Sequence, residues 1–536
     1  MEENRGAFYA SSQEAFPAYS TVVVLDFGSQ YSMLIARRIR EFQVYCEVLP
    51  YYIDAQKIIE MSPAGIILSG GPGSVYQEGA PQCDPALFYT GIPILGICYG
   101  MQLIACEFQG KVKEGLRSEY GKTRVQIADQ NISGKLFAGI AGKGIRELKV
   151  WMNHRDEVVS MPAGFKITAR TLQGTFAAIE EEFHQIYGLQ FHPEVSHTEQ
   201  GKKILHNFLF SVCSCKAGWT PENFIQKAVK SIQEQIAGED KVVCALSGGV
   251  DSSVVAYLLD RAVGEQAVYI FVDHGLLREQ ESAEIKCTFS QMLKGRFIHV
   301  SAQERFLAQL QGVEEPEEKR RIIGNEFIQV FKEEALALGD ANYLAQGTIY
   351  SDVVESGAQS SAATIKSHHN VGGLPEELGF QLLEPLKDLF KDEVRKVGRE
   401  LGVPSTIIER QPFPGPGLAV RIIGEVTAEK LEVLKKADLI LQEAMNHEPE
   451  FKRMVWQFFA VYTEIHSVGV RRGYRVWGPV LAIRSVASQD GMTGEWVMPP
   501  ASLLKVVEKR ICQEIPTVTR VILDITSKPP GTIEWE

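Results

Sequence analysis

Val242-Val243-Cys244-Ala245-Leu246 runs directly into Ser247-Gly248-Gly249-Val250-Asp251-Ser252-Ser253, and Val254-Val255-Ala256-Tyr257-Leu258-Leu259 follows. An apolar run, two glycines and a second apolar run read as a buried strand that turns through a tight loop into a helix start. The glycines let backbone N–H groups converge on an anion, the serines add hydroxyl donors, and the helix N-terminus adds partial positive charge. The stretch is a phosphate cradle. It lacks the lysine of the Walker A loop, so it fits release of pyrophosphate from ATP better than transfer of a terminal phosphoryl group.

Around this loop the chain alternates strands and helices. A β-α series begins near Lys241 and includes Ala267-Val268-Tyr269-Ile270-Phe271-Val272-Asp273. An earlier series contains Thr21-Val22-Val23-Val24-Leu25-Asp26, Ala64-Gly65-Ile66-Ile67-Leu68-Ser69 and Ile92-Pro93-Ile94-Leu95-Gly96-Ile97. Such alternation predicts two α/β domains, each a largely parallel sheet covered on both faces. Cys213 to Pro221 separates them. Gln411-Pro412-Phe413-Pro414-Gly415-Pro416-Gly417 can continue neither a helix nor a central strand, and it marks a third boundary. Beyond it helical and strand patterns mix. The expected division is a loose polar tail over 1–20, then domains over 21–215, 216–410 and 411–536.

The 536 residues are 45% hydrophobic and 23% charged, ordinary values for a soluble globular protein. A net charge of −12 argues against a broad polyanion-binding surface, so nucleic acid is not an expected partner. Nine cysteines without paired spacing, with Cys213-Ser214-Cys215 too tight for a zinc knuckle, predict a reducing compartment and a cytoplasmic location. Met1 to Ser20 has no signal-peptide core and no stretch reaches transmembrane length, so no membrane is expected.

Gly96-Ile97-Cys98-Tyr99-Gly100 has the spacing of a nucleophile elbow with cysteine in place of serine. The turn pushes the thiol into a cleft, and the helix N-terminus favours the thiolate. Gln190-Phe191-His192-Pro193-Glu194 supplies a base: residues two apart on an extended chain point the same way, so the Glu194 carboxylate orients the His192 imidazole. Ser69-Gly70-Gly71-Pro72-Gly73 adds a glycine turn whose N–H groups, Gly71 among them, stabilise an oxyanion together with the N–H of Tyr99.

With these residues in view, the first domain resembles the class I, triad-type glutamine amidotransferases and the second the PP-loop ATP pyrophosphatases. Their order, closed by Lys528-Pro529-Pro530-Gly531-Thr532-Ile533-Glu534-Trp535-Glu536, resembles the family of glutamine-hydrolysing GMP synthetases from about Val22 to the end. The resemblance implies an α/β protein: a flavodoxin-like amidotransferase domain, an adenine-nucleotide α-hydrolase-like PP-loop domain, both doubly wound, and a smaller C-terminal α+β domain that makes a homodimer. It implies that Cys98 attacks the glutamine amide, His192 moves protons and Glu194 orients His192. Gln102, Asn153, His154 and Asp156 match the glutamine-pocket segments, although Asn153 and Arg155 stand where the family more often has Ser and Gly. Arg155 reads equally as part of a polar surface loop.

By the same resemblance, ATP adenylylates xanthosine monophosphate (XMP) at the purine C2 oxygen, and Ser247 to Ser253, Val250 included, hold the departing pyrophosphate. Asp251 is placed at phosphate-bound Mg²⁺, the implied cofactor; capping of the helix N-terminus is the alternative role, and the two are compatible. Asp352, Glu355, Lys366 and His369 match a lid, with Lys391 as a further cation. Arg320, Gln457, Arg520, Lys528, Ile533 and Glu534 match XMP-binding positions, Glu534 set for polar contact to base or sugar. Two rivals stay open: amidation of a different AMP-activated acceptor, and a non-catalytic glutamine and nucleotide sensor, against which the intact Cys98, His192 and Glu194 speak.

Overall fold

Strand β1 (Thr21–Asp26) leaves Val22, Val23, Val24 and Leu25 with no exposed surface, as a parallel strand covered on both faces must. Burial of each such side chain contributes roughly 1.5–3 kcal/mol. The computed structural model describes residues 19–29, 31–128, 134–140, 146–236, 238–339, 341–350, 352–353, 379–488 and 493–536. They form two compact units, Met1–Phe224 and Ile225–Glu536.

In the first unit β1 is joined by β2 (Tyr45–Pro50), β3 (Gly65–Leu68), β4 (Ile94–Ile97), β5 (Lys111–Ile127), β6 (Glu147–Ser160), β7 (Lys166–Thr171), β8 (Phe176–Glu181) and β9 (Ile186–Leu189). Their order is β2-β1-β3-β4-β9-β8-β7-β5-β6. The half from β2 to β9 is parallel, with Val23 opposite Glu47 on one side and Ile66 on the other; from β9 to β6 every pairing is antiparallel. This is the flavodoxin-like order, in which function collects at the carboxyl ends of the strands. Ser69, Cys98 and Gln190 each follow such an end, of β3, β4 and β9.

Two expectations shift at the margins of this unit. Tyr19 and Ser20, assigned above to a loose tail, are packed: the Tyr19 ring lies 5.4 Å from Trp219 and 5.9 Å from Tyr45, and Ser20 N–H donates to Lys216 O at 3.2 Å. Apolar ring surface, hidden between polar neighbours, is what draws them in. The segment after Cys215 also folds back here, since the N–H groups of Gly218 and Trp219 both donate to Gln43 O.

The second unit has an all-parallel sheet ordered β12-β11-β10-β13-β14, from β10 (Lys241–Ala245), β11 (Ala267–Asp273), β12 (Arg296–Ser301), β13 (Ala341–Ala345) and β14 (Gln381–Leu383). A further sheet pairs β15 (Gln457–Arg471) with β16 (Tyr474–Ala487), which also pairs with β17 (Glu495–Trp496) and, in parallel, with β18 (Arg520–Asp524). One apolar core joins Val243, Ile270 and Leu344 of the first sheet to Leu434, Leu441, Phe458, Leu481 and Val507. The Pro- and Gly-rich boundary at 411–417 thus separates two sheets that share a core, and just after it the turn Gly417–Arg421 buries Leu418, Ala419, Val420 and Arg421. No helix among the described residues is long and apolar enough to cross a membrane.

Candidate active sites

Cys98 occupies a sharp turn between β4 and the helix Tyr99–Glu107, with φ 54° and ψ −103°, a backbone state rare for a residue with a β-carbon. The flanking glycines make the turn possible by close approach. A β-carbon on Gly96 would lie 2.5 Å from the backbone of Gly100, and one on Gly100 would lie 2.5 Å from Leu68 O. The thiol is almost fully enclosed; Asn153 O lies 3.7 Å from Sγ, and Gln190 Nε2 donates to it at 3.8 Å.

His192 and Glu194 meet as expected, with Nδ1 2.7 Å from Oε1. The backbone there is turned rather than extended. It is fixed by His192 N–H donating to Trp151 O, Thr198 Oγ1 donating to His192 O, and Arg38 Nε donating to Glu194 O. Burial alone would depress the imidazole pKa, but the Glu194 carboxylate and the Cys98 thiol together hold it up at about 10. His192 Nε2 has no hydrogen-bond partner among the described residues. Gly70 lies against His192, and a β-carbon on Gly71 would meet the Tyr99 ring at 3.1 Å, so the glycine turn and the elbow line the same pocket.

The residues expected at a glutamine pocket hold one another. Gln102 Nε2 donates to Asp156 O at 2.9 Å, His154 Nδ1 is 2.9 Å from the same carbonyl, and Asp156 Oδ1 accepts from Tyr76. His154 Nε2 lies 3.3 Å from Glu119. Arg155 is exposed and pairs with Glu114 on the facing strand, the polar-surface alternative. Gln190, in contact with the thiol, was inside the quoted histidine motif yet unassigned.

In the second unit, the loop after β10 has the expected strand-loop-helix form, with Gly248 at φ 76° and the helix Val250–Ala262 beginning at once. The hydroxyls of Ser247 and Ser252 lie 3.0 Å apart, Ser247 Oγ accepts from Gly249 N–H, and Ser253 Oγ donates to Gly249 O. Lys391 forms an ion pair with Asp251 through Oδ2, and Asp251 Oδ1 has no partner. Gly347, just past β13, packs on Asp251 and Ser252 N, so the loops after the two adjacent strands meet at the switch point of the sheet. Asp352 accepts from Ile349 N–H, closing its own turn. Glu355, Lys366 and His369 lie outside the described residues. Arg410, unassigned from sequence, reaches Gly248 O at 3.5 Å and Glu281 at 2.6 Å.

The C-terminal motif is tied down along its length. Lys528 pairs with Gly494 through backbone N–H and C=O, Arg484 donates to the carbonyls of Thr532 and Ile533, and Trp535 Nε1 donates to Asp524. Buried Lys319 pairs with Glu536 and donates to Ile422 O. Glu534, expected to face base or sugar, is held by Arg421 through two parallel hydrogen bonds of 2.9 Å, from Nε and Nη2. Removing either partner of such a buried pair costs about 3–5 kcal/mol. Arg320 pairs with Glu317, and its charge also acts on Glu536. Gln457 donates to Pro412 O at the start of β15, whereas Arg520 is exposed beside Ser467. Arg421 and Lys319 carried no sequence signal beyond their charge; only a partner over 100 residues away gives them a role.

Model matches divide along these lines. Class-I glutamine amidotransferase matches residues 23–212, NAD synthase 221–327 and the GMP synthase C terminal domain 444–535. The glutamine-hydrolyzing GMP synthase of Carboxydothermus hydrogenoformans is 54% identical over 517 residues, 96% of this chain and 100% of that protein. Those of Caldanaerobacter subterraneus and Geobacillus kaustophilus are 53% and 52% identical, each over 96% of this chain and 99% of the relative. An elbow cysteine beside a His-Glu pair, a serine- and glycine-rich strand-to-helix loop and an anchored C-terminal motif in one chain of this similarity belong together: the chain is a member of the glutamine-hydrolysing GMP synthase family.

Proposed function

We propose that the two units divide one amination. ATP, XMP, glutamine and water give GMP, AMP, pyrophosphate and glutamate, which makes the protein a carbon–nitrogen ligase with glutamine as amido donor. The observation that carries the first half is the Cys98 thiol, strained into its turn and acting directly on the imidazole of the His192–Glu194 pair. Cys98 passes its proton to His192 as Sγ attacks the glutamine amide carbonyl, and the developing oxyanion meets the N–H groups of Gly71 and Tyr99. His192 delivers a proton to the departing ammonia and then takes one from the water that hydrolyses the thioester, while Glu194 holds the ring. Gln102, Asn153, His154 and Asp156 shape the glutamine pocket.

In the second unit the C2 oxygen of XMP attacks the α-phosphorus of ATP, and pyrophosphate leaves into the cradle of Ser247 to Ser253. Ammonia then displaces AMP. The orphaned Asp251 Oδ1, a hard oxygen donor at the cradle, fits Mg²⁺ bound mainly through the phosphates. Bound there, the ion would neutralise charge on the pyrophosphate leaving group. Lys391 balances Asp251 and adds a cation. Arg320, Gln457, Arg520, Lys528, Ile533 and Glu534 take XMP.

A homodimer through the C-terminal domain is supported by Ile465, Val468, Val470, Tyr474 and Trp477, an exposed apolar set on the β15–β16 hairpin. A cytoplasmic setting is supported by nine free thiols. Two assays test the whole: GMP formed from XMP, ATP and Mg²⁺ with glutamine and then with ammonium, and glutaminase rate with and without ATP and XMP. No GMP from either nitrogen source overturns the synthase, and full glutaminase speed without ATP and XMP overturns coupling of the half-reactions. Light scattering of Val470→Glu tests the dimer; an unchanged mass overturns that interface.

A further inference from the structure

A series of contacts among charged residues, one of them through the Arg278 main chain, runs from Gly248 to the C-terminal motif. Arg410 reaches Gly248 O and pairs with Glu281; Glu281 accepts from Arg278 N–H at 3.1 Å; Arg278 Nε lies 3.2 Å from Asp438 Oδ2; and Asp438 Oδ1 lies 3.7 Å from Arg421 Nη1. Asp438 is buried in the helix Ala428–Asn446, yet neither of its oxygens accepts a hydrogen bond, and Arg278 Nε and Arg421 Nη1 donate none. Arg421 spends Nε and Nη2 on Glu534, so its spare nitrogen is the one that faces Asp438. The guanidinium is otherwise enclosed by aromatic faces, 3.9 Å from the Phe459 ring centre and 5.3 Å from that of Phe413.

A buried guanidinium cannot release its carboxylate unless a second one is at hand. Asp438 is that second carboxylate, its Oδ1 3.7 Å from the spare Nη1. We propose that Asp438 is a positioning residue for the XMP site: Arg421 passes onto it when Glu534 leaves for the substrate. The inference rests on the reading of Glu534 as an XMP contact. Without the Asp438 charge, the state with Glu534 released is depopulated, and apparent affinity for XMP falls by the fraction lost.

The test uses full-length enzyme carrying Asp438→Asn, Glu534→Gln or both, assayed with ammonium as nitrogen donor. Asp438→Asn is expected to raise KM for XMP about tenfold, with kcat, KM for ATP and glutaminase activity changed by less than about twofold. Added to Glu534→Gln, it changes nothing further. An unchanged KM for Asp438→Asn, or a full additional effect on Glu534→Gln, overturns the hand-over while the Glu534 assignment stands. If Glu534→Gln itself leaves KM for XMP unchanged, the assignment fails and the hand-over with it. Should Asp438→Asn not fold, Arg278→Met gives the opposite sign: freed from Arg278, Asp438 draws Arg421 more strongly and KM for XMP falls, and a KM that stays or rises overturns the proposal.

Discussion

The Nδ1 atom of His192 lies 2.7 Å from the Glu194 carboxylate, across a turn in which both side chains are enclosed and His192 Nε2 and Glu194 Oε2 are left without hydrogen-bond partners. Glu194 acts on the imidazole in a place water does not reach, and together with Cys98 it outweighs the burial that would otherwise discharge the ring.

With the His192 pKa held at about 10 rather than 6.5, glutaminase activity should persist well above neutral pH and decline on the basic side near pH 10. The raised value also means that the pair's contribution to stability is complete below about pH 6.5 and is lost as pH rises through about 10. In Glu194→Gln the charge that raises the imidazole is gone, so the basic limb moves to lower pH. The check is kcat/KM for glutamine against pH for both proteins; coincident basic limbs would remove Glu194 from this role.

Cys98→Ser keeps the elbow geometry and exchanges the sulfur nucleophile for a hydroxyl oxygen. Glutamine-dependent GMP synthesis should fall by about 10⁴-fold or more, with ammonium-dependent synthesis retained. Glutamate and GMP measured in the same samples decide it.

Gly100→Ala places a methyl group 2.5 Å from Leu68 O, a backbone atom inside the sheet that cannot move aside cheaply. Overpacking of this kind costs about 1–3 kcal/mol. The expected result is a lower first thermal transition and loss of glutaminase activity, with ammonium-dependent synthesis spared, read by calorimetry alongside the two assays.

Lys391→Met removes the cation paired with Asp251 at the pyrophosphate loop. The ATP-dependent step should slow by about 10²-fold, seen as pyrophosphate release with XMP present, and glutaminase activity measured without ATP should be unchanged. Equal losses in both would assign Lys391 to folding instead.

His274 is enclosed next to Asp273, and burial depresses its pKa to about 4. The unfolded chain therefore takes up a proton that the folded one refuses, and stability falls as pH drops from about 6.5 to about 4, by roughly 3 kcal/mol in all. His274→Gln should flatten that part of the stability curve in urea unfolding. An unaltered slope would sink the assignment.

Much of this molecule was legible residue by residue. The loops at Cys98 and Ser247, the parallel strands before them and the helices after them follow from apolar runs, glycine punctuation and spacing, all written within a dozen residues. The nearness of His192 and Glu194 was legible for a reason that proved incomplete, since a turn pinned by Trp151, Thr198 and Arg38 brings them together rather than an extended chain.

The sequence by itself determined the local chemistry: a thiol at a helix start, a serine- and glycine-lined anion cradle, and a stiff closing motif. Tertiary structure alone decided which distant charges meet. Arg421 and Glu534 are 113 residues apart and Lys319 and Glu536 are 217 apart, and nothing in their neighbourhoods names the partner. Packing of two sheets on one core places Arg421 and Asp438 out of water, and it joins segments that composition had divided at Gln411. The physical reason is range: propensity and turn chemistry act between neighbours in the chain, whereas burial makes a charge depend on whichever group the fold sets beside it.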